Sequence, residues 1–479
     1  MATERNGVAV PQFDDGIPLG SIEFVMPEVG GALEKFIPVT RFALIDRLAA
    51  SGLWPAGTAA DVRRFFRYLD YWRQQTYNAA LLELEQSYEP FSPDTDLLLT
   101  RKFTPQERHT LQKRVVQDVT RLLQQANYRR IDPSDINLIM TRETHYGLDL
   151  QVDLSAFEEI LIYYRGATNT KETRRSLRLF LRKEEFDVPI FQRLFLLFKL
   201  KPLATRIAEI AAEKGCTEAE AERIAKRMRS MLPPQVTDTN IYLKLFKNIP
   251  RTDIEMVFPN TAVRFRMFDK IKLGVSASGG LGMGVVGAAG KIALLASNPL
   301  AAAGAVFGLG GIAVRQAVAF MNQKQRYMVV MAKNLYFHSM ADNRGVMLKI
   351  AARAAEEDVK EEMLLYSVLV KEPARRSELS QIDKAIERWL VKQFGVTVNF
   401  DIDDALERLL ADGVVTEGPD GMLRALAPRE AALHIDAKWD VLLDNLPEPV
   451  SCEGIEFAGD AAAPAFKAPA NPADSKAQL

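Results

Sequence analysis

From Leu273 to Gly290 the chain carries no charged residue, and after Lys291 the run from Ile292 to Val314 is again uncharged. This block constrains the fold more than any other stretch. Ser297-Asn298-Pro299 divides it: Ser or Asn caps a helix, and Pro suits the first helical position. The division predicts one helix over Ile271 to Ala296 and a second over Pro299 to Phe320. About 20 helical residues cross about 30 Å of hydrocarbon, and both arms reach that length. Glycine costs about 1 kcal/mol relative to alanine in an exposed helix interior, and the first arm is rich in it. In lipid, an unsatisfied backbone group costs several kcal/mol, so such a helix is retained. Gly280 and Gly284 on one arm, and Gly304 and Gly308 on the other, are small residues four apart that let the arms approach closely around Pro299. The expectation is a helical transmembrane hairpin over 271–320. A buried helical pair and a re-entrant or interfacial loop are the other two readings of the block.

Flanking charge fits the hairpin. Arg264, Arg266, Lys270 and Lys272 precede it, and Lys324 and Arg326 follow it. The positive-inside rule then places both termini in the cytoplasm. The bilayer becomes the first partner, and these juxtamembrane cations could attract anionic lipids by about 1 kcal/mol each. The residues MATERNGVAVPQFDDG lack an apolar core and carry acids early, so they read as neither a secretory signal nor a transit peptide. An internal segment must then carry any membrane targeting.

At 479 residues, and about 150 residues per domain, roughly three units are expected. The sequence divides into a disordered N-terminus over 1–30, a helical domain over 31–130 and an α+β domain over 131–270 with a charged helical insertion near 205–231. The hairpin over 271–320, a helical segment over 321–372, a winged-helix-like domain over 373–446 and a disordered tail over 447–479 follow. Thr58 to Tyr88 has helical periodicity and stops at Glu89-Pro90. Thr104-Pro105-Gln106-Glu107 is a capping box. Ile160 to Tyr164, Leu194 to Phe198 and Ile241 to Phe246 read as strands. Gly345 to Val370 reads as a helix with a dense Glu/Lys face. The fold class is mainly α with a small β-sheet.

Signs of chemistry are sparse. There is no Walker A loop, no dinucleotide fingerprint after a strand and no nucleophile elbow. Neither the four histidines nor Cys216 and Cys452 have metal-ligand spacing. No catalytic residue, metal or cofactor is assigned. The acid pairs Glu158-Glu159 and Glu356-Glu357 read as solvated faces, because adjacent helical residues diverge. The formal net charge of -1 provides no global attraction for nucleic acid. Asp401 to Asp412 holds five acids against Arg408 alone, so the helix expected to read DNA in a winged helix would repel it. A protein partner is favoured over nucleic acid.

Several short strings are familiar together: Phe36-Ile37-Pro38-Val39-Thr40, Tyr88-Glu89-Pro90-Phe91, Ile162-Tyr163-Tyr164-Arg165-Gly166, and Lys244-Leu245-Phe246-Lys247-Asn248-Ile249-Pro250 with Asp253, Glu255 and Pro259. Lys333-Asn334-Leu335-Tyr336-Phe337 and Asn343-Arg344-Gly345-Val346 complete the set. Over about Phe36 to Leu446 the chain resembles the transmembrane protein 143-like family, whose shared domain has no assigned function. The resemblance implies membrane residence with paired helices, and it supplies no activity and no catalytic residue; its eukaryotic members are associated with mitochondria, and without a transit peptide here the expected location is a bacterial inner membrane.

Two functions are therefore expected. The first is a membrane-anchored, cytoplasm-facing scaffold or adaptor for an unidentified protein partner, with homo-oligomerisation open. The second is a membrane-surface enzyme or lipid-handling protein. Its candidate polar site is Arg165, Lys244, Lys247, Asp253 and Glu255; ordinary charges at strand and helix ends are the plainer reading of these five. Their convergence in one concave pocket would favour the second function.

Overall fold

The computed structural model describes residues 33–94, 102–131, 149–151, 153–175, 183–230, 232–251, 254, 257–259, 262–264 and 335–444. Two long helices organise them. Helix α2 (Thr58–Tyr88) buries Phe65, Leu69, Tyr77, Leu81, Leu84 and Tyr88 along one face. It gives way to a 3-10 turn at Glu89-Pro90-Phe91, because proline removes the next backbone donor. Helix α6 (Asn343–Leu369) packs along it. At 1.5 Å per residue the two run about 45 and 40 Å. Helix α1 (Arg41–Leu48) is capped by the Thr40 hydroxyl, which accepts from Ala43 N. Helix α3 (Pro105–Gln125) opens with the reciprocal capping box of Thr104 and Glu107.

Strands β1 (Arg129–Arg130), β3 (Phe157–Arg175), β4 (Lys183–Leu200), β5 (Tyr242–Pro250) and β7 (Ser339–Asp342) form an antiparallel sheet in the order β1-β3-β4-β5-β7. Alternation along a strand sends successive side chains to opposite faces. Leu161, Tyr163, Phe195, Leu197, Leu243 and Leu245 pack with α2, α3 and the first half of α6. Ile162, Tyr164, Leu194, Leu196, Phe198 and Tyr242 pack on the other face with Ile254 and Phe258. A small separate ladder joins β2 (Asp149–Gln151) to β6 (Ala262–Arg264). Between β4 and β5, α4 (Leu203–Lys214) and α5 (Glu218–Arg229) make a helical pair around Ile210, Ala221 and Ala225. The break between them is Gly215, left-handed at φ 59.

Beyond α6 come β8 (Ala374–Arg375), α7 (Leu379–Phe394), α8 (Ile402–Ala411), β9 (Val415–Glu417), β10 (Met422–Ala425) and α9 (Pro428–Asp440). The strand order β8-β10-β9, with two helices between β8 and β9, is the connectivity of a winged helix. The unit does not stand apart. Ile386, Leu390, Leu406, Leu409 and Leu423 share one core with Phe65, Phe66, Met363 and Tyr366, and α9 packs along α2.

One expectation is corrected. The chain is mixed helix and sheet, but among the described residues no helix is long and apolar enough to cross a membrane. The helices α2, α3 and α6 have the length, and all three are too heavily charged. The expected hairpin, with Gly280, Gly284, Pro299, Gly304 and Gly308, lies outside the described residues. So do the juxtamembrane cations Arg266, Lys270, Lys272, Lys324 and Arg326, while Arg264 closes β6. The transmembrane hairpin and the inner-membrane location with cytoplasmic termini are therefore not upheld.

Candidate functional site

The charged stretch of α6 is not a solvated face. Glu357, Asp358, Lys360, Glu361 and Glu362 are all at most 3% exposed. They occupy the seam between two apolar cores. One core ends at Ala354 and Ala355, and the other begins at Val359 and Met363. On α2 the same seam falls between Leu69 and Tyr77, where Trp72 and Arg73 sit.

A buried charge is tolerated only when paired and hydrogen-bonded, and each seam carboxylate has partners. Arg408 of α8 reaches three of them, donating from Nη2 to Glu361 (2.6 Å) and from Nε to Glu362 (3.0 Å), and lying 3.3 Å from Asp358. Arg73 bridges Glu362 (2.8 Å) and Asp412 (2.6 Å). Tyr77 donates to Asp358 at 2.6 Å, and Asn127 to Glu361 at 3.0 Å. Asp412 also accepts from Trp72 Nε1 and Lys438 Nζ, both at 3.0 Å. Burial opposes the charge on Arg408, but Asp358, Glu361 and Glu362 outweigh it and hold the guanidinium above its usual range. Burial dominates at Glu361, despite Arg408, and pushes that carboxyl up to about 8. It also raises Asp358 and Glu362. Arg408, Arg73 and Lys438 are the cations that face these three carboxyls and Asp412.

Glu357 holds the strap of residues 36–40 that leads into α1. Its Oε2 accepts from Ile37 N at 3.0 Å, and its Oε1 accepts from Arg165 Nη2 and Lys360 Nζ, both at 2.9 Å. Lys360 donates in turn to the Ile37 carbonyl at 2.6 Å. The Arg165 guanidinium lies 4.5 Å from the centre of the Phe36 ring. The strap thereby roofs one end of a cavity of about 530 Å³ between α6 and the sheet, lined by six cationic side chains and Glu356.

A third feature is acidic. Asp403, Asp404 and Glu407 are exposed on α8 beside Asp401, with Asp383 and Glu387 on the neighbouring α7. Burial, then the fields of Glu387, Asp401 and Asp403, push Asp383 up to about 6. Its Oδ1 is buried without a hydrogen-bond partner among the described residues.

The three candidate polar residues that are described, Arg165, Lys244 and Lys247, do not form one site. Arg165 faces α6 and is paired with Glu357. Lys244 is an odd number of residues from Lys247 along β5, so it takes the opposite face, where it pairs with Asp342 at 2.8 Å. Lys247 stands opposite Arg193 of β4. Asp253 and Glu255 lie outside the described residues. The seam residues Glu357, Asp358, Glu361, Glu362, Arg73 and Arg408 were missed. The signal was in the sequence: acids at 356, 357, 358, 361 and 362 point all around a helix and cannot form one solvated stripe. Among the described residues no group of His, Cys, Asp and Glu is arranged to hold a metal ion. His338 and His434 each bond a backbone carbonyl at 2.7 Å, those of Lys247 and Asp412.

The remaining short motifs act as fasteners. Tyr88 donates to the Ile241 carbonyl at 2.8 Å, and Glu89 pairs with Arg344. Asn343 accepts from Leu243 N at 3.3 Å and donates to Asp94 at 2.9 Å.

The sequence model of a family described as a protein of unknown function (DUF3754) matches residues 157–345. The chain therefore carries a DUF3754 domain, running from the start of β3 to the first turn of α6. No solved structure matches the chain.

Proposed function

We propose that this chain is an interaction scaffold that recruits a basic protein segment through the acidic face of its winged-helix-like unit. The crowding of that face carries the reading. Asp383, Glu387, Asp401, Asp403, Asp404 and Glu407 gather on two adjacent helices, and among the described residues Lys35 is the one cation paired there across chain segments, 2.7 Å from Asp401. A cationic partner relieves this crowding, whereas a phosphate backbone meets repulsion. The seam supports the reading from the other side, because its carboxylates are committed to guanidinium, hydroxyl and backbone partners and hold the unit against the body. The likeness of the short motifs to the transmembrane protein 143-like family is kept as a proposal of kinship, and it adds no activity.

The test is fluorescence anisotropy of the full chain with a labelled Lys/Arg-rich peptide, an acidic peptide of equal length and duplex DNA. The basic peptide should bind, weaken with salt, and weaken further in the triple variant D403N/D404N/E407Q. Equal binding of the acidic peptide, or tighter binding of DNA, would sink the proposal.

A further inference from the structure

Among the described residues, two of the cations that line the cavity between α6 and the sheet, Arg193 and Lys349, have no ion pair, while Arg41 is held by Asp70. Lys349, Arg353, Glu356 and Lys360 follow at steps of four, three and four, so they share one face of α6. Opposite them, Arg165 of β3 is the direct cross-strand neighbour of Arg193 on β4, which in turn neighbours Lys247 on β5. Like charges placed directly opposite across a sheet are destabilising. Arg165 and Lys360 have Glu357, and Arg353 has Glu356. Arg193 has no carboxylate among the described residues. Its Nη1 donates to the Gln192 carbonyl at 2.7 Å, which leaves most of its fork free. Burial, and then Arg165 and Arg353, hold this half-buried guanidinium below its usual range, with Tyr128 opposing.

We propose that this cavity binds a small phosphate-bearing anion, with Arg193 and Lys349 as its principal ligands. The volume of about 530 Å³ lies within the range of about 300–1,000 Å³ typical of small-molecule sites. A phosphomonoester brings a charge of about −1.5 to −2 at neutral pH and three acceptor oxygens, which suits a planar guanidinium fork and an ammonium. A monocarboxylate brings one charge and leaves the cavity cationic. Phe36, Pro38, Leu245 and Met340 line the same space and offer apolar surface to the organic part of a phosphate ester.

The test is calorimetric titration of the full chain with pyrophosphate, inorganic phosphate and a sugar phosphate, with sulfate and acetate as controls at matched ionic strength. Arg193→Gln and the exposed Lys349→Gln should each weaken pyrophosphate binding tenfold or more, while Lys226→Gln on the distant α5 should leave it unchanged. Arg193→Gln should also raise the melting temperature of the ligand-free chain, because it removes a like-charge row, and should abolish the further rise on adding pyrophosphate. Lys349→Gln keeps the test decisive if Arg193→Gln does not fold. Failure of every phosphate to bind, equal binding of acetate, or unchanged affinity in both cavity variants would overturn the proposal.

Discussion

Replacing Arg408 with methionine leaves Asp358, Glu361 and Glu362 in the seam without their shared guanidinium. The side chain is 16% exposed, and two of its three contacts with these carboxyls lie at 3.0 Å or less, so little solvent stands ready to replace it. Breaking a buried pair from one side costs about 3–5 kcal/mol. The structure narrows that range, because the seam can answer by taking up one more proton. Glu362 has an ordinary value of 4.5, so neutralising it at pH 7 costs about 3.4 kcal/mol, and at pH 5 about 0.7 kcal/mol, at 1.36 kcal/mol per pH unit. With the hydrogen bonds left incomplete, a loss of about 4 kcal/mol at pH 7 follows. The loss should shrink by about 2.7 kcal/mol at pH 5, since the variant's folded state binds the extra proton that its unfolded state does not. Urea denaturation at both pH values measures this. Trp72, bonded to Asp412 in the same seam, supplies a local fluorescence signal. A loss under about 1 kcal/mol at pH 7, or one that is the same at pH 5, would refute the buried network.

Glu361→Gln should flatten the pH dependence of stability. A carboxyl raised from 4.5 to about 8 lends stability that is fully present below about pH 4.5 and lost as pH rises through 8. The fall is at most about 5 kcal/mol in the wild type, and thermal melts from pH 5 to 9 measure it. Gly166→Ala should cost about 1 kcal/mol or more in chemical denaturation; Gly166 sits at φ 71, and an added Cβ would press on the Gln192 side chain. Phe65→Ala, which empties a fully buried ring site against Tyr366 at 4.4 Å, should cost about 3–5 kcal/mol. Lys35→Met breaks the exposed pair with Asp401 and should change stability by less than about 1 kcal/mol in the same assay.

Local signals in the chain were legible where short-range physics sets the structure. Thr58 to Tyr88 and the Thr104 capping box each depend on neighbours in sequence. The core of each long strand was visible in its branched and aromatic run. The full spans Phe157–Arg175 and Lys183–Leu200 were not, because their outer pairs join polar residues such as Thr173 and Glu185 or Lys171 and Asp187. The edge strands β1, β7 and β8 were missed because two to four residues carry no periodicity. The site was the least legible part. Arg73, Arg165 and Arg408 reach Glu362, Glu357 and Glu361 from far away in sequence, so a charged helix looked wet until its partners were in place. The candidate polar set grouped Lys244 with Lys247, and a period of two separates them.

Hydrogen exchange read by mass spectrometry on the peptide covering residues 353–365 tests the enclosed charge of α6 most directly. These amides should exchange only through global unfolding in the wild type, and through a smaller opening in Arg408→Met. Exchange of this peptide in the wild type as fast as that of an exposed helix such as α5 would mean that its acids face water, and the seam would not exist.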